Sequence, residues 1–334
     1  MTENQPTTSD EPRPPLIKKA LMWAALVVLF WLLFRKVPLE QVLAELHRMT
    51  VGQALSLLWL SVVFIIGVTV LDGASMWYGF NRMGAAVPLK EIILARAARM
   101  LLDSVATILG QAGLAAHIAQ KYRVDAGPAA GMVLFLFFLE IYGMVTLASV
   151  SLVLFLALKD MVPPGAPVRA ALLMTAAAWA AWLVVMYGGL RMSRVRAARR
   201  MLVRLKLAPI LGPLERLSRP EISRLLLWKT ALAAWQIGLT MIAFRIYGLT
   251  VPGLDLFAFM PLTILVSSVP VTPSRLGTTQ WSWTFFFGYA AAPAALVWMS
   301  LLLQLLLNIV RWGLGATAIL WLHRDRKSLD DKGR

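Results

Sequence analysis

The sequence predicts an all-α polytopic membrane protein, with about six full spans and two re-entrant hairpins arranged as an inverted repeat. Three observations predict this fold: an apolar composition, apolar runs of membrane-spanning length, and a broken-helix plan that occurs twice. Of 334 residues 59% are hydrophobic and 15% are charged, and the mean hydropathy is +0.70. This composition is typical of a chain that folds in lipid rather than in water.

The apolar runs predict where the chain crosses the bilayer. A span needs about 20 apolar residues, and the runs of about that length are residues 16–34, 53–77, 131–158, 168–190, 225–247 and 293–322. Asp72 lies near the end of the second run, where the composition predicts an interfacial turn. Residues 1–15 are polar and proline-rich and predict a disordered cytoplasmic tail, and residues 325–334 predict a polar tail. Residues 16–324 are therefore predicted to form a single transmembrane domain.

A stretch near the end of the chain is apolar but cannot be a continuous helix. Residues 266–277, VSSVPVTPSRLG, contain Pro270 and Pro273. Each proline lacks an amide donor and its ring clashes with the preceding turn, so the helix must break. In hydrocarbon a broken helix is tolerated only where its backbone is buried in protein or lines a watery cavity. The break therefore predicts a functional site.

A second ambiguous stretch lies in the first half of the chain. Residues 88–116 have the length of a span but contain five charged residues. On insertion scales each such residue at a helix centre costs about 2.5–3.5 kcal/mol, which disfavours simple spanning. We expect an amphipathic surface helix followed by a hairpin at residues 104–114 that turns near Gly110 and Gly113.

The two broken stretches occupy corresponding places in an internal repeat with an offset of 164 residues. The matched pairs are Phe80/Phe244, Gly84/Gly248, Val87/Val251, Pro88/Pro252, Ser104/Ser268, Gly113/Gly277 and, within long apolar helices, Glu140/Gln304. These pairs in two hydropathically similar halves predict a duplication. Its halves are about residues 53–158 and 222–322, joined by the span at 168–190 and a basic cytoplasmic segment at 191–224.

The basic residues predict the orientation of the chain. Residues 191–229 contain eleven Lys or Arg and two Glu, and Lys and Arg are enriched in cytoplasmic loops. Counting spans from this loop places both termini in the cytoplasm of a multi-pass protein in the cytoplasmic (inner) membrane. The first broken stretch then enters from the cytoplasm and the second from outside, which is the inverted arrangement of many secondary transporters.

The formal charge of +16 predicts the kind of partner. The basic residues lie mostly between and at the ends of apolar runs, where anionic lipid headgroups meet them, so we expect anionic membrane lipids and no nucleic acid. A protein partner, if the chain has one, is expected to be a second copy of the chain or a membrane enzyme. The sequence has no cysteine, its three histidines are scattered, and it shows no catalytic motif. We therefore expect no enzyme activity, catalytic residue, metal or cofactor.

The stretch VPVTPSRLGTTQ, with its weaker counterpart ILGQAGLAAH in the first half, resembles the flippase-like transmembrane domain of lysylphosphatidylglycerol synthases. The resemblance covers nearly the whole chain after the tail and implies a divergent stand-alone member that moves lipids. In the first half the family's glycine–glutamate and later arginine correspond to Gly113–Leu114 and His117. The carboxylate of this half of the pattern is therefore missing.

In the second half, Pro273 and Gly277 match the family pattern, Arg275 stands in its glycine pair, and Gln280 replaces its glutamate. We expect these residues to form part of a substrate site. A guanidinium in a broken helix can hold a lipid phosphate through two parallel hydrogen bonds. The alternative is that Arg275 extends to the membrane interface.

Other candidate substrate-binding residues lie on long apolar helices. Glu140 and Gln304 correspond in the repeat and are predicted to face one another, either as a proton relay or as a plain polar contact. Asn308 and Arg311 follow Gln304 by four and seven residues, so they share its helix face. His117 is expected to contact a phosphate or to lie on a solvated basic face.

Three functions fit these observations. The first is a flippase or transporter of an anionic amphiphile, a phospholipid or a polyprenyl-phosphate-linked lipid, working by alternating access. The second is a membrane-embedded lipid-dependent transferase, which a carboxylate at the broken helix would favour. The third is a lipid-binding accessory subunit that does not transport, which the missing family carboxylates favour.

Overall fold

Helices make up every secondary-structure element among the residues that the computed structural model describes, namely 16–105, 107–158, 162–194, 213, 216–268 and 275–332. In chain order they are α1 Leu16–Lys36, α2 Leu39–Arg48, α3 Val51–Arg82, α4 Leu89–Val105, α5 Thr107–Tyr122, α6 Ala126–Leu158, α7 Val168–Arg194, α8 Arg219–Tyr247, α9 Gly253–Ser268, α10 Thr278–Phe287 and α11 Pro293–Lys332. The all-α prediction is confirmed.

Four helices are long and apolar enough to cross a membrane: α3, α6, α8 and the Pro293–Arg324 part of α11. Shorter apolar stretches occupy Val168–Val184 of α7 and Gly253–Ser268, which is α9. The chain is therefore a multi-pass membrane protein. Of the six predicted spans, those on α1 and α7 are not among the four long apolar helices of the described residues.

Local capping signals fix the ends of the long helices. Thr50 and Gln53 form a reciprocal capping box at the start of α3, with the Gln53 side chain accepting from the Thr50 N–H at 3.0 Å. Ser218 and Glu221 do the same at the start of α8, where the Glu221 carboxylate accepts from the Ser218 N–H at 2.9 Å. Because α8 begins here, Lys229 lies well inside it.

The matched glycines end corresponding helices in the same way. Gly84 follows α3 with φ +88° and Gly248 follows α8 with φ +89°, a left-handed conformation that glycine adopts without steric cost. The N–H after each glycine donates to the carbonyl of Phe80 or Phe244, at 3.0 and 2.9 Å. The next apolar helices, α4 and α9, then begin at Leu89 and Gly253, 164 positions apart.

Both broken stretches are interrupted, but the first break is not where the sequence predicts it. One helix ends at Val105 and the next begins at Thr107, so the turn precedes Gly110 and Gly113, and α5 is continuous through both glycines. The prediction that Gly113 lies near the tip of a hairpin is therefore wrong. A Cβ at Gly110 would overlap the Asp103 carboxylate, so this glycine allows α5 to approach α4 closely.

The second break separates α9, which ends at Ser268, from α10, which begins at Thr278. Pro270 and Pro273 lie between these helices, outside the described residues. Gly277 precedes α10 with φ +84°, and a Cβ there would lie 3.3 Å from the Leu29 Cβ, because α1 packs against this end of α10.

Contacts between helices cross from one half of the chain to the other. Helix α3 packs on α8, α4 packs on α11, and α9 packs on α6. Each broken stretch is thus held against the last long helix of the opposite half. One apolar core lies around Phe259, Phe286 and Phe287, and a second lies around Phe80, Phe135 and Ile118. The charged residues of α3, α4 and α8 meet where these helices cross.

Candidate functional site: a buried charge cluster

Asp72 on α3 is the centre of the most buried group of charges that the structure describes. Its carboxylate accepts hydrogen bonds from Arg96 Nε on α4 and from Lys229 Nζ on α8. The exposed fractions are 2% for Asp72, 8% for Arg96 and 1% for Lys229. Three helices from both halves of the chain are therefore joined through one carboxylate.

These groups lie deep within the spans. Asp72 is ten residues before Arg82, the last residue of α3, and Lys229 is ten residues after Arg219, the first of α8. At ~1.5 Å of rise per residue, each is about 15 Å from its helix end. Arg82 and Glu221 form an ion pair at 3.3 Å, so these two ends lie on the same side of the molecule. About 15 Å is half the thickness of a bilayer core.

The ion pairs continue in both directions from Asp72. Lys229 Nζ lies 3.5 Å from Glu140 Oε2 on α6, and Arg96 Nη1 lies 3.5 Å from Asp103 Oδ2 near the end of α4. Arg99 Nε completes the chain at 3.0 Å from Asp103 Oδ2. The terminal carboxylates are more accessible than the centre, with side-chain exposures of 32% for Glu140 and 20% for Asp103.

Two further arginines lie within electrostatic range of this chain. Arg275, just before α10, interacts with Glu140 and Asp103. Arg311 on α11 interacts with Arg275, Arg96 and Asp103. We call these eight residues the central cluster: Asp72, Arg96, Arg99, Asp103, Glu140, Lys229, Arg275 and Arg311.

The backbone around Arg275 is unusual. Its φ is +61°, a conformation that costs a side-chain-bearing residue free energy and is found at functional sites. The hydroxyls of Thr278 and Thr279 donate to the Arg275 carbonyl, at 3.0 and 3.1 Å. The first turn of α10 therefore holds the residue that carries the guanidinium.

Several predicted site residues lie next to this turn. The Gln280 side chain is fully buried and accepts from the Gly277 N–H at 2.6 Å, and its amide nitrogen donates to Gln304 Oε1 at 3.2 Å. Gln280 thus links the broken stretch to the last span. On that span, Arg311 Nη1 donates to Asn308 Oδ1 at 3.2 Å, as expected for residues on one helix face. Pro273 lies outside the described residues.

Charge in the central cluster is unbalanced. It contains five cations and three carboxylates, so two positive charges remain among the described residues. Arg96 Nη1 is buried and has no hydrogen-bond partner in the described part of the chain. The described residues include no group of three His, Asp or Glu side chains that could hold a metal ion. The cluster can therefore attract an anion, and it offers at least one unused donor to it.

His117 and Gly113 lie elsewhere on α5. Buried Glu91, in the first turn of α4, accepts from Lys121 at 2.6 Å and contacts His117 Nε2 at 3.1 Å. Glu91 precedes Asp103 by twelve residues, or about 18 Å along the helix, so His117 belongs to a separate group of ion pairs. Gly113 lies against Leu102 on α4: a Cβ added at Gly113 would lie 2.9 Å from Leu102 Cδ1.

The sequence analysis missed the centre of the cluster. Asp72 was expected in an interfacial turn, which is wrong because α3 continues to Arg82 and buries the carboxylate. Lys229 was counted with the basic loop. The capping signals were the available clue, since a helix that begins at Ser218–Glu221 places Lys229 on its third turn. No local signal identifies Arg96 as their partner.

Comparison with known proteins supports the resemblance seen in the sequence. The family model described as the lysylphosphatidylglycerol synthase TM region matches residues 17–315, a range that contains the whole central cluster. No curated protein matches the chain. The expectation drawn from the two broken stretches is thereby confirmed at the level of the family.

Proposed function

The chain belongs to the lysylphosphatidylglycerol synthase transmembrane family, and on that premise we propose that it moves an anionic amphiphile across the membrane. The central cluster is then its headgroup site, and the substrate is a phospholipid or a polyprenyl-phosphate-linked lipid. The observation that carries this proposal is the excess of two cationic groups in a cluster whose centre, at Asp72 and Lys229, lies about 15 Å inside the ends of the spans.

A charge excess at this depth is costly without a ligand. Each cation near a bilayer centre costs about 2.5–3.5 kcal/mol on insertion scales. The three carboxylates of the cluster offset that cost for three cations, and two remain. Intramembrane charges that are not fully paired mark substrate pathways, and an anionic headgroup would complete the balance.

Arg275 has the chemistry that this role requires. Its planar guanidinium can hold two phosphate oxygens at once. It precedes the amino terminus of α10, where the free amides and the helix dipole also favour an anion. Arg311 on α11 adds a second guanidinium within electrostatic range.

The packing of α3 on α8 supports an inverted repeat. Gln53 at the start of α3 donates to the Ile246 carbonyl at the end of α8 at 3.2 Å, whereas Arg82 at the end of α3 pairs with Glu221 at the start of α8. The two corresponding helices are therefore antiparallel neighbours. A two-fold axis that relates such neighbours is perpendicular to both, and for membrane-spanning helices it lies in the membrane plane. We propose that two halves related in this way rock against each other and give alternating access.

Orientation in the membrane is the second part of the proposal. The basic residues predict that both termini and the basic segment before α8 are cytoplasmic. Reporter fusions after Leu190 and after Lys332 should both report a cytoplasmic location. A signal from the opposite side at either point would overturn this orientation.

A lipid-dependent transferase is the second candidate. The sequence shows no carboxylate in the second broken stretch, but the fold brings Glu140 and Asp103 within electrostatic range of Arg275. A carboxylate beside a phosphate-binding arginine is an arrangement that a transferase could use as a general base.

Lipid translocation by reconstituted protein tests the proposed function. In vesicles with fluorescent phosphatidylglycerol, Arg275→Ala should lower the translocation rate by orders of magnitude, because each charge-assisted bond to phosphate contributes roughly 1.5–3 kcal/mol. Arg275→Lys keeps the charge but loses the planar guanidinium, so its translocation rate should fall between those of the wild type and Arg275→Ala.

Arg245, exposed on the last turn of α8, provides the matched control, and Arg245→Ala should translocate at the wild-type rate. Wild-type translocation by Arg275→Ala would remove Arg275 from the site. It would show instead an arginine that merely reaches the interface.

A further inference from the structure

We infer that the central cluster selects a phosphomonoester headgroup, a terminal phosphate with two negative charges near neutral pH, over a phosphodiester. This inference rests on the proposed function and names its substrate class. It starts from the charge balance of the cluster and from the buried donor that the protein leaves without an acceptor.

The charge balance matches a dianion. The excess of two cations in the cluster would be neutralised by a phosphomonoester, whose second pKa is about 6. A phosphodiester carries a single negative charge and would leave one guanidinium uncompensated. In a site of low dielectric an uncompensated cation is expensive, so the difference between the two headgroups is amplified there.

The unused donor points in the same direction. Arg96 is 8% exposed, its Nη1 has no hydrogen-bond partner among the described residues, and its distance to Asp103 Oδ2 is 3.5 Å. A buried donor without an acceptor is costly, and a phosphate oxygen would satisfy it. Arg311 is within electrostatic range of both Arg96 and Arg275. A phosphomonoester presents three terminal oxygens to these three guanidinium groups, whereas a diester presents two.

The acidic members of the cluster are already engaged. Asp72 binds Arg96 and Lys229, Asp103 binds Arg99, and Glu140 faces Lys229. Among the described residues, no carboxylate lies within ion-pair distance of Arg275 or Arg311, and both side chains are half-buried. The unneutralised charge of the cluster is therefore on its accessible side, where a headgroup can reach it.

The test compares two lipids that differ in the headgroup alone. Full-length protein in phosphatidylcholine nanodiscs is titrated with dioctanoyl phosphatidic acid, the monoester, or dioctanoyl phosphatidylglycerol, the diester. At pH 7.5 we expect the monoester to bind at least tenfold more tightly. At pH 5 the monoester dianion takes up one proton and, like the diester, carries a single negative charge, so the two affinities should converge. Protonation of Asp72, Asp103 or Glu140 would change the affinity for both lipids, and the diester series controls for it.

Variants separate this inference from the proposed function. Arg311→Gln should reduce the preference for the monoester to less than threefold, whereas Arg245→Gln, on the exposed face of α8, should leave it unchanged. Arg311 is preferred to Arg96 as the variant because Arg96 also holds Asp72. Equal binding of both lipids, with both affinities still lowered by Arg311→Gln, would overturn the monoester preference and leave the proposed function standing.

If neither Arg311→Gln nor Arg275→Ala changes the affinity for either lipid, the monoester preference and the proposed function are both overturned. Inorganic phosphate is the remaining probe, because it carries the same charge without acyl chains. We expect it to compete at least a hundredfold more weakly than the monoester lipid. Competition at equal concentration would show a site for free phosphate and overturn the lipid assignment.

Discussion

The two broken stretches have the same plan and different chemistry. In α4 the buried face carries Glu91, Arg96, Arg99 and Asp103, whereas the positions 164 residues later in α9 are Asp255, Met260, Thr263 and Ser267. Each helix follows a left-handed glycine and packs on the last long helix of the opposite half. The plan therefore does not require Arg96, Arg99 and Asp103, and the presence of these three charges in α4 but not in α9 indicates a specialised function.

The difference also predicts which stretch moves. Ion pairs tie α4 to α3 and, through Asp72, to α8. In contrast, α9 and α10 are held together by aromatic contacts such as Phe259 with Phe286 and by a hydrogen bond between the Ser267 and Ser282 hydroxyls at 3.1 Å. Separating ion pairs in a site of low dielectric costs more than sliding apolar surfaces past each other. We expect α4 to form the fixed wall of the site and the α9–α10 pair to move.

The largest effect should come from removing the charge that the first half depends on. Asp72→Asn leaves Lys229 and Arg96 buried with a neutral partner, and breaking a buried ion pair costs about 3–5 kcal/mol of stability. The thermal unfolding temperature in detergent should fall sharply. Gln236 is the residue of α8 that corresponds to Asp72 in the repeat, and Gln236→Ala should change the unfolding temperature little.

The double variant Asp72→Asn/Lys229→Met should recover part of the lost stability, because it removes one of the stranded cations. If Asp72→Asn and Gln236→Ala unfold at the same temperature, the contrast between the two halves is not one of ion pairing.

The corresponding glycines give a smaller contrast. Gly277 has φ +84° and a Cβ there would crowd Leu29, so Gly277→Ala should cost about 1–2 kcal/mol through the left-handed backbone alone. Gly113 is helical and its Cβ would meet the flexible end of Leu102. There alanine gains up to about 1 kcal/mol of helix propensity, which offsets the contact. Thermal unfolding of both variants tests this, and equal losses would contradict it.

The smallest effect concerns the bond between α9 and the loop after α10. The Tyr289 hydroxyl donates to Asp255 Oδ2 at 2.5 Å. Burial and this hydrogen bond raise the pKa of Tyr289 above its ordinary value of 10.0. The folded state thus favours the protonated phenol, so its contribution is fully present below about pH 10 and is lost as the pH rises through the folded pKa. Tyr289→Phe should cost about 1 kcal/mol below pH 10.

The stability difference between wild type and Tyr289→Phe should therefore be constant from pH 6 to pH 9 and shrink in more alkaline buffer. Chemical or thermal unfolding across that range measures it. A difference that grows with pH would show that the phenol is not the donor.

Much of the architecture was readable from the sequence because its signals are local. The matched Gly84 and Gly248, the apolar runs and the offset of 164 residues predicted the long helices α3, α6, α8 and α11 without any tertiary contact. Arg275 and Gln280 could be proposed as neighbours of a broken helix for the same reason, since proline breaks a helix whatever surrounds it. The high proportion of apolar residues in the sequence was enough to predict that the chain folds in a membrane.

Tertiary structure decided which charges meet. Lys229 and Asp72 are 157 residues apart, and each taken alone is consistent with an interfacial position in an apolar helix. Whether they meet depends on the rotation of α3 and α8 about their axes and on the way α4 crosses both, which are properties of the packed bundle. The turn before Gly110 likewise depends on how closely α5 can approach Asp103. Local sequence specifies where a helix ends, but a buried ion pair is specified only when distant helices pack, because its stability requires the removal of water by all of them.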